Sequence, residues 1–427
     1  MDLRRFGEYD VLVLVSLIWF LGKFVRYAFP PLFETLQGAY GVSTATIGVA
    51  FTGFMTVYAL MQFPSGAVAD RIGPVSVIVA GAVVAGVGAL AVAVDAPFAA
   101  LVAAMLVIGA GTGVHKTVAV RLLARAYPVR TGRTLGVHDT FGALSGVVAP
   151  AAVVVFLSAP PSLAFLLDRV PGASWRGLFV VTAGTAFLLA AVFLARVPSR
   201  LPDEAAGGDD EGADPGVAEY LALFRNPRFT AFVAVTVGFS FAHNGLIAFL
   251  PLYLSREAGL PAATASLLYA VVFAVTFVQL VTGELSDRVG RYPVMVGTLG
   301  LAAVALLALV IAPDVAPGSG TGSAGFTGVL GGFGAETLLF GAVVAAFGLG
   351  SHGFQPVRSA YLMEVLPDRI AGGGLGVVRT LLMGAGALAP GVVGVSADIV
   401  GFRPAFGLLA ASMGVASVLA AALWLSE

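Results

Sequence analysis

The sequence has no cysteine and few charged residues. Without cysteine among its 427 residues, the chain cannot form disulfide bonds, thiolate metal sites or cysteine-ligated iron–sulfur clusters. Charged residues make up 11% of the chain, against roughly 25% in an ordinary soluble domain. Apolar residues make up 58%, and the mean hydropathy is +0.96. The net charge of −1 offers no basic surface to nucleic acid. This composition predicts a polytopic membrane protein.

Long apolar runs recur along the chain and predict twelve transmembrane spans. A helix needs about 20 apolar residues to cross a bilayer core. The first run, residues 11–33, carries Lys23 and Arg26 in its middle. The other runs contain no charged residue and cover residues 35–69, 72–94, 96–115, 140–167, 177–195, 229–255, 258–283, 292–313, 337–357, 380–397 and 404–426. The predicted fold class is an all-α membrane protein, because the strands of membrane barrels are only about 10 residues long with alternating polarity.

An acidic segment divides the spans into two sets of six. We predict a first six-helix bundle over 1–196, an acidic cytoplasmic linker over 197–227, and a second bundle over 228–427. With both termini in the cytoplasm, 17 of the 23 Lys and Arg residues fall on cytoplasmic segments. This bias predicts a multi-pass cell-membrane protein with both termini inside.

The two sets of spans repeat each other. The chain reads Gly66-x-x-x-Asp70-Arg71-x-Gly73 after the second span and Gly283-x-x-x-Asp287-Arg288-x-Gly290 after the eighth, 217 positions later. Further matches relate the fourth span to the tenth at an offset of 237, and the fifth to the eleventh at 240. Two pseudo-symmetric bundles related by an axis along the membrane normal are an arrangement typical of transporters.

The doubled G-x-x-x-D-R-x-G motif, combined with twelve spans, resembles the major facilitator superfamily. The resemblance covers nearly the whole chain. It implies a secondary transporter that works by alternating access, with a central cavity lined by spans 1, 4, 7 and 10, and usually a monomer. The sequence departs from the family's drug antiporters, which often carry an arginine in the fourth span. It also has Pro74 where the first motif usually continues with basic residues.

The first span carries the strongest candidates for substrate binding. Lys23 and Arg26 are three residues apart and share a helix face, together with Trp19 and Tyr27. A charge inside the bilayer is a functional candidate by default. The alternative is that the two long side chains extend to the outer headgroups.

Histidines provide further candidates at repeated positions. At an offset of 220, Lys23 corresponds to His243, which Asn244 follows, and these two residues are predicted to contact the solute. His115 and His352 are predicted to form a second symmetric pair nearer the cytoplasm. The alternatives are a core histidine for His243 and local helix packing for the pair.

No acidic residue is expected in the middle of any span. The nearest candidates, Asp10, Asp139, Glu284 and Glu364, are assigned to helix ends, and Glu34 to the outer rim. Lys23 therefore needs another means of neutralisation, either by deprotonation or by an anionic solute. We expect the anion, with a coupled proton carried by one of the histidine pairs.

The family resemblance also implies a cytoplasmic latch between the halves. The loop of Asp70 and Arg71 is expected at the cytoplasmic end of span 11, beside Arg379. The repeated loop would place Asp287 and Arg288 near Asp139. We predict Asp70–Arg379 and Arg288–Asp139 contacts in the outward-open state. The alternative is that these charges only set the topology.

The sequence therefore favours a secondary transporter for a small anionic or polar organic solute. One alternative is a proton-coupled drug-efflux antiporter, and another is a non-transporting receptor or scaffold. No enzymatic constellation and no nucleotide-binding G-x-x-x-x-G-K-[ST] motif occur. The expected partners are the solute, a coupled proton and the lipid bilayer. No cofactor, metal or nucleic acid is expected.

Overall fold

The computed structural model describes residues 9–158, 175–198, 222–315, 334–365 and 371–426. These residues form α-helices joined by short turns, and no strand occurs among them. The helices are α1 (Asp10–Tyr40), α2 (Thr44–Ile72), α3 (Pro74–Ala93), α4 (Phe98–Gly113), α5 (His115–Ala126), α6 (Thr131–Ser158), α7 (Trp175–Arg196), α8 (Pro227–Arg256), α9 (Ala262–Ala274), α10 (Val278–Val289), α11 (Arg291–Val315), α12 (Ala335–Val365), α13 (Ala371–Val400) and α14 (Phe402–Leu425).

Twelve stretches of these helices are long and apolar enough to cross a membrane. The helices α4 and α5 together make the fourth span, and α9 and α10, joined by the 3₁₀ turn Val275–Phe277, make the eighth. Each of the other spans is built on a single α-helix. The predicted fold class, an all-α membrane protein with twelve spans, is confirmed.

The chain divides into two compact units, Met1–Asp214 and Pro215–Glu427. In the first unit, α1 packs on α6 and α7, and α3 packs on α4 and α7. In the second unit, α8 packs on α13 and α14, and α11 packs on α12 and α14. The same pairs of spans therefore pack in both units, as a duplication requires. Most of the predicted linker, 199–221, lies outside the described residues, so its boundaries stay predictions.

The repeated G-x-x-x-D-R-x-G motif ends a helix in the same way in both units. Gly73 follows α2 with φ of 82°, and Gly290 follows α10 with φ of 91°. Their backbone N–H groups bond to the carbonyls of Ala69 and Ser286. Only glycine adopts this conformation without strain, which explains the last residue of the motif. The Asp-Arg pair of each copy lies in the last turn of its helix.

Glycine contacts show how the fourth span aligns with the tenth span in the internal repeat. A Cβ on Gly111 would lie 2.6 Å from the carbonyl oxygen of Gly81 on α3. A Cβ on Gly350 would lie 2.6 Å from the carbonyl oxygen of Thr298 on α11. Because Thr298 is 217 positions after Gly81, as in the motif, Gly350 is the counterpart of Gly111.

In this alignment His115 and His352 do not occupy equivalent positions, so the prediction that they form a symmetric pair is wrong. The counterpart of His115 is Phe354, and the counterpart of His352 is Gly113, two positions from the predicted alignment. The sequence allowed the error because both spans contain Gly-x-Gly, which matches itself after a two-residue shift. The helix is also interrupted at Val114 in the first unit, between α4 and α5, whereas α12 is continuous.

Candidate functional site

Trp19 on α1 is the centre of an aromatic cluster in the first unit. Its ring centroid lies 5.8 Å from that of His115 and 5.4 Å from that of His138, in stacked geometry. The two imidazole centroids are themselves 5.8 Å apart. All three side chains are buried. We call these residues, Trp19, His115 and His138, the indole cluster. Gly142 on α6 faces the indole, and a Cβ there would collide with the indole Nε1.

Two ammonium groups lie against this indole. Lys23, one turn further along α1, has its Nζ 4.9 Å from the ring centroid. Lys116, the residue after His115, has its Nζ 5.1 Å from the same centroid. These residues are the only lysines of the chain; every other basic side chain, apart from histidine, is an arginine. A cation at this distance from an indole is attracted by the negative face of the ring.

Asp139 on α6 belongs to the same site. Its Oδ1 forms an ion pair with Lys116 Nζ, and it lies 3.2 Å from His138 Nδ1. Asp139 is the ninth residue of α6 and lies within the fifth span. The prediction that it sits at a helix end was therefore wrong. The span begins upstream of the charge-free run that was used to place it.

The other cation of α1, Arg26, lies between two tyrosine rings. The Arg26 guanidinium carbon lies 5.8 Å from the ring centroid of Tyr27 and 5.6 Å from that of Tyr58 on α2. Lys23 Nζ is 5.5 Å from the Tyr27 centroid. The predicted group Trp19, Lys23, Arg26 and Tyr27 therefore forms one continuous row of cations and rings along α1.

A small cavity adjoins the indole cluster inside the first unit. It measures about 30 Å³ and is lined mainly by apolar side chains of α1, α3, α4 and α7, together with Trp19, Thr112 and His115. This volume holds a water molecule and no organic solute. The cations around the indole therefore stay the predicted solute-binding groups.

The second unit has a related cluster around His243 on α8. The His243 ring stacks on Phe239 at 5.5 Å and on Phe347 at 6.1 Å, and it meets His352 edge-on at 5.9 Å. In α1 and in α8, an aromatic residue thus precedes the predicted cationic position by four residues. The counterpart of Trp19 is Phe239, and the Arg358 guanidinium carbon lies 5.8 Å from its ring centroid.

Amide side chains lie beside these histidines. His352 Nδ1 lies 3.5 Å from Gln279 Nε2 and 3.2 Å from Gln355 Nε2. Asn244 donates from Nδ2 to the Ser240 carbonyl at 2.9 Å. The predicted residues His243, Asn244 and His352 thus lie in a polar, aromatic surrounding, where hydrogen bonding to a solute is chemically available.

Two of the predicted latch residues, Asp70 and Arg288, have partners within their own units. Asp70 accepts a hydrogen bond from Arg121 Nη1 at 2.7 Å. Arg288 pairs with Glu284 one turn earlier on α10. Arg71 and Asp287 lie in the last turns of α2 and α10, and Arg379 is exposed on α13. The predicted Asp70–Arg379 and Arg288–Asp139 contacts join different units and stay predictions.

Sequence reasoning missed His138, Lys116 and Arg358. A comparison of the two halves points to residues that are the same in both. His138 and Asp139 align with Val378 and Arg379, which are different residue types, so the repeat does not mark them. Two signals were present: a His-Asp pair beside a long apolar run, and the rarity of lysine in a chain with 23 Lys and Arg residues.

Comparison with known proteins gives a family and several relatives. The model of the Major Facilitator Superfamily matches residues 15–334. The probable sulfoacetate transporter SauU of Cupriavidus necator is 26% identical over 311 residues, covering 70% of this chain and 68% of that protein. The hexuronate transporter of Bacillus subtilis is 24% identical over 393 residues, covering 90% and 87%. A protein of Staphylococcus aureus named as a proline/betaine transporter is 28% identical over 224 residues, covering 51% and 46%.

Solved structures show the same fold. A bacterial homologue of the human lysosomal transporter Spinster, inward-facing and unoccupied, gives a TM-score of 0.71 at 18% identity, covering 98% of this chain and 95% of that one. A mutant form of the nucleoside transporter NupG gives a TM-score of 0.74 at 14% identity, covering 97% and 99%.

Proposed function

Because the chain belongs to the major facilitator superfamily and is a membrane transporter rather than an enzyme, we propose that its solute is a small organic anion. The observation that carries this proposal is the pair of ammonium groups, Lys23 and Lys116, within about 5 Å of one buried indole. Among the described residues around that indole, Asp139 is the single carboxylate that can balance the two ammonium groups.

The charge balance explains why an anion is needed. Lys116 is neutralised by Asp139, whereas Lys23 makes no ion pair among the described residues and contacts the rings of Trp19 and Tyr27. Aromatic rings contribute only about 0.5–2 kcal/mol to holding a cation. A lysine inside the bilayer costs more than this, about 2.5–3.5 kcal/mol on insertion scales. A bound anion supplies the missing counter-charge.

The named relatives support the same class of solute. Sulfoacetate and hexuronates are both organic anions, and the relative named for hexuronate aligns with 90% of this chain. At identities of 24% and 26%, these relatives support an organic anion as the class of solute, and experiment must identify the molecule.

A zwitterionic solute is the second candidate, because one relative is named for proline and betaine. Quaternary ammonium groups bind in cages of aromatic rings. Here the rings of Trp19 and Tyr27 are already in contact with Lys23, and Trp19 also with Lys116. A cationic solute group would meet these ammonium groups at short distance. The arrangement therefore favours an anion over a betaine.

Counterflow in proteoliposomes tests the proposal. Vesicles loaded with sulfoacetate or glucuronate should take up the same labelled anion, whereas vesicles loaded with proline or glycine betaine should not exchange. Exchange of the zwitterions alone would overturn the proposal, and so would transport confined to lipophilic cations such as ethidium. Failure of both anions to exchange would also overturn it.

The proposal includes alternating access between two faces of the cell membrane, with the termini in the cytoplasm and the protein acting as a monomer. It also includes a coupled proton. Histidine is the side chain whose ordinary pKa lies nearest neutrality, and each of the four histidines contacts an indole or another histidine.

A further inference from the structure

Two donors compete for one oxygen of Asp139. Lys116 Nζ and His138 Nδ1 both contact Oδ1. The Asp139 side chain is 59% exposed and Lys116 is 18% exposed, whereas His138 is fully buried. The carboxylate therefore joins an accessible surface to a buried imidazole. If Lys116 turned to another anion, His138 would remain as the partner of this carboxylate.

The two lysines are close enough to hold one small molecule. Their Nζ atoms lie 4.9 Å and 5.1 Å from the same ring centre, so they are no farther apart than the sum of these distances. Charge-assisted bonds from ammonium to carboxylate or sulfonate oxygens measure about 2.7–2.9 Å. A molecule with two acid groups separated by one or two carbons can therefore reach both ammonium groups.

We propose that the first unit binds an organic dianion, with one acid group at Lys23 and the other replacing Asp139 at Lys116, so that the His138–Asp139 pair takes up one proton per dianion. This inference rests on the proposed function, since it names the charge of the same solute and the site of the coupled proton.

The charges around the indole set this stoichiometry. Lys23 and Lys116 on α1 and α5 carry two positive charges, and Asp139 on α6 carries one negative charge. The other titratable groups near the two lysines are the imidazoles of His115 and His138 and the phenols of Tyr27 and Tyr58, while Arg26 lies one turn from Lys23 against those two tyrosines. A monoanion balances the three charges without a proton. A dianion leaves one negative charge in excess, which a proton on His138–Asp139 removes.

Dianion binding exchanges one ion pair for another and adds one proton, for which the His138–Asp139 pair is the acceptor. The Lys116–Asp139 ion pair breaks, a new ion pair forms between Lys116 and the second acid group, and one proton from solution binds to the His138–Asp139 pair. In the described residues, His138 Nε2 has no hydrogen-bond partner, and the imidazole stacks on Trp19. A protonated imidazole on an indole face gains cation–π attraction.

Calorimetry on the purified full-length protein tests the proposal. Sulfoacetate and succinate are compared with sulfoacetamide and succinamate, which keep the shape and lose one acid group. Each titration is run in two buffers of different ionisation heat to count protons. The dianions should bind at least about tenfold more tightly than the amides, the value of one added charge-assisted bond. Each dianion should bring about one proton, and each amide none.

Variants assign the roles. Lys116→Gln should reduce the preference for dianions to about one, whereas Lys116→Arg should retain most of it and controls for misfolding of the glutamine variant. Asp139→Asn should bind dianions without proton uptake. Arg125→Gln removes an exposed cation from the same helix as Lys116 and should leave both the preference and the proton count unchanged.

The outcomes separate this inference from the proposed function. If the dianions bind without proton uptake, or no more tightly than the amides, the inference is wrong while anion transport stands. A tenfold preference that survives in Lys116→Gln also overturns it. If none of the four compounds binds, the inference is wrong, and counterflow of glucuronate then decides whether the proposed function stands.

Discussion

Trp19 occupies space that only glycine leaves on the neighbouring helix. A Cβ on Gly142 would collide with the indole ring. Gly142→Ala should therefore push Trp19 away from His115 and His138, at a cost of about 1–3 kcal/mol for overpacking. We expect a lower melting temperature, a shift in tryptophan fluorescence and loss of anion exchange.

The same helix offers a matched control for this substitution. A Cβ on Gly136 would meet no atom within 4 Å. Gly136→Ala should leave transport intact and stabilise the helix by up to about 1 kcal/mol. If Gly142→Ala behaves like Gly136→Ala in melting and exchange, Trp19 does not depend on this packing.

The two cations of α1 should differ in their effects on transport. Lys23 lies against the indole that also contacts Lys116, whereas Arg26 lies against Tyr27 and Tyr58. Lys23→Gln should abolish anion uptake while the folded protein remains in the membrane. Arg26→Gln should weaken uptake less. Uptake assays with equal amounts of reconstituted protein check this, and normal transport by Lys23→Gln would remove the basis for an anionic solute.

Single residues of the site differ in how well the sequence reveals them. Lys23 could be predicted because a charge inside an apolar run is conspicuous and costly. Asp139 was assigned to a helix end because it precedes a charge-free run, and only the start of α6 at Thr131 shows that it lies inside the span. Its contact with Lys116 joins residues 23 positions apart, which no local pattern specifies.

At the scale of helices, the number of spans follows from hydropathy, but breaks within spans do not. The fourth span is interrupted at Val114 and the eighth at Val275–Phe277. Neither break contains a proline, so the residue that most often interrupts a helix does not mark them. The start of α5 places His115 and Lys116 in consecutive positions at the break, from where both reach the indole.

The end of α2 provides a test of the cytoplasmic latch. Because the chain has no cysteine, single cysteines at Thr140 or Ser359 can be labelled without other changes. Asp70→Asn removes the carboxylate predicted to hold Arg379, so it should shift the resting population towards the inward-open state. Labelling of either cysteine from the cytoplasmic side should then become faster.

The ion pair of Asp70 with Arg121, within the first unit, supplies the control for the latch. Arg121→Gln removes the observed partner of Asp70 and leaves the carboxylate itself. If the latch exists, Arg121→Gln should change labelling less than Asp70→Asn, and the exchange Asp70→Arg with Arg379→Asp should restore the original rate. Equal effects of the two single variants would mean that Asp70 acts through its own unit only.

For the whole molecule, the duplication connects the fold to the site. The same pairs of spans pack in both units, so α1 and α8 occupy equivalent places and each presents an aromatic residue followed four positions later by Lys23 or His243. The sequence could predict this pairing because Pro31-Leu32 and Pro251-Leu252 fix the offset at 220 positions. The glycine-rich fourth and tenth spans, in contrast, allowed an alignment shifted by two residues. The first unit carries the charged cluster, and the second carries amides and histidines at the related positions.

The orientation in the membrane is the prediction that concerns the whole chain. If both termini are cytoplasmic, 17 of the 23 Lys and Arg residues lie outside the apolar runs of the sequence on the cytoplasmic side, as the positive-inside rule requires. Val94, between α3 and α4, should then be outside, and Val129, between α5 and α6, should be inside; their exposed fractions are 59% and 94%. In intact cells, a membrane-impermeant maleimide should label Val94→Cys, and it should label Val129→Cys only after permeabilisation. The reverse pattern would invert the topology, placing the charges of the predicted latch on the outer face of the membrane.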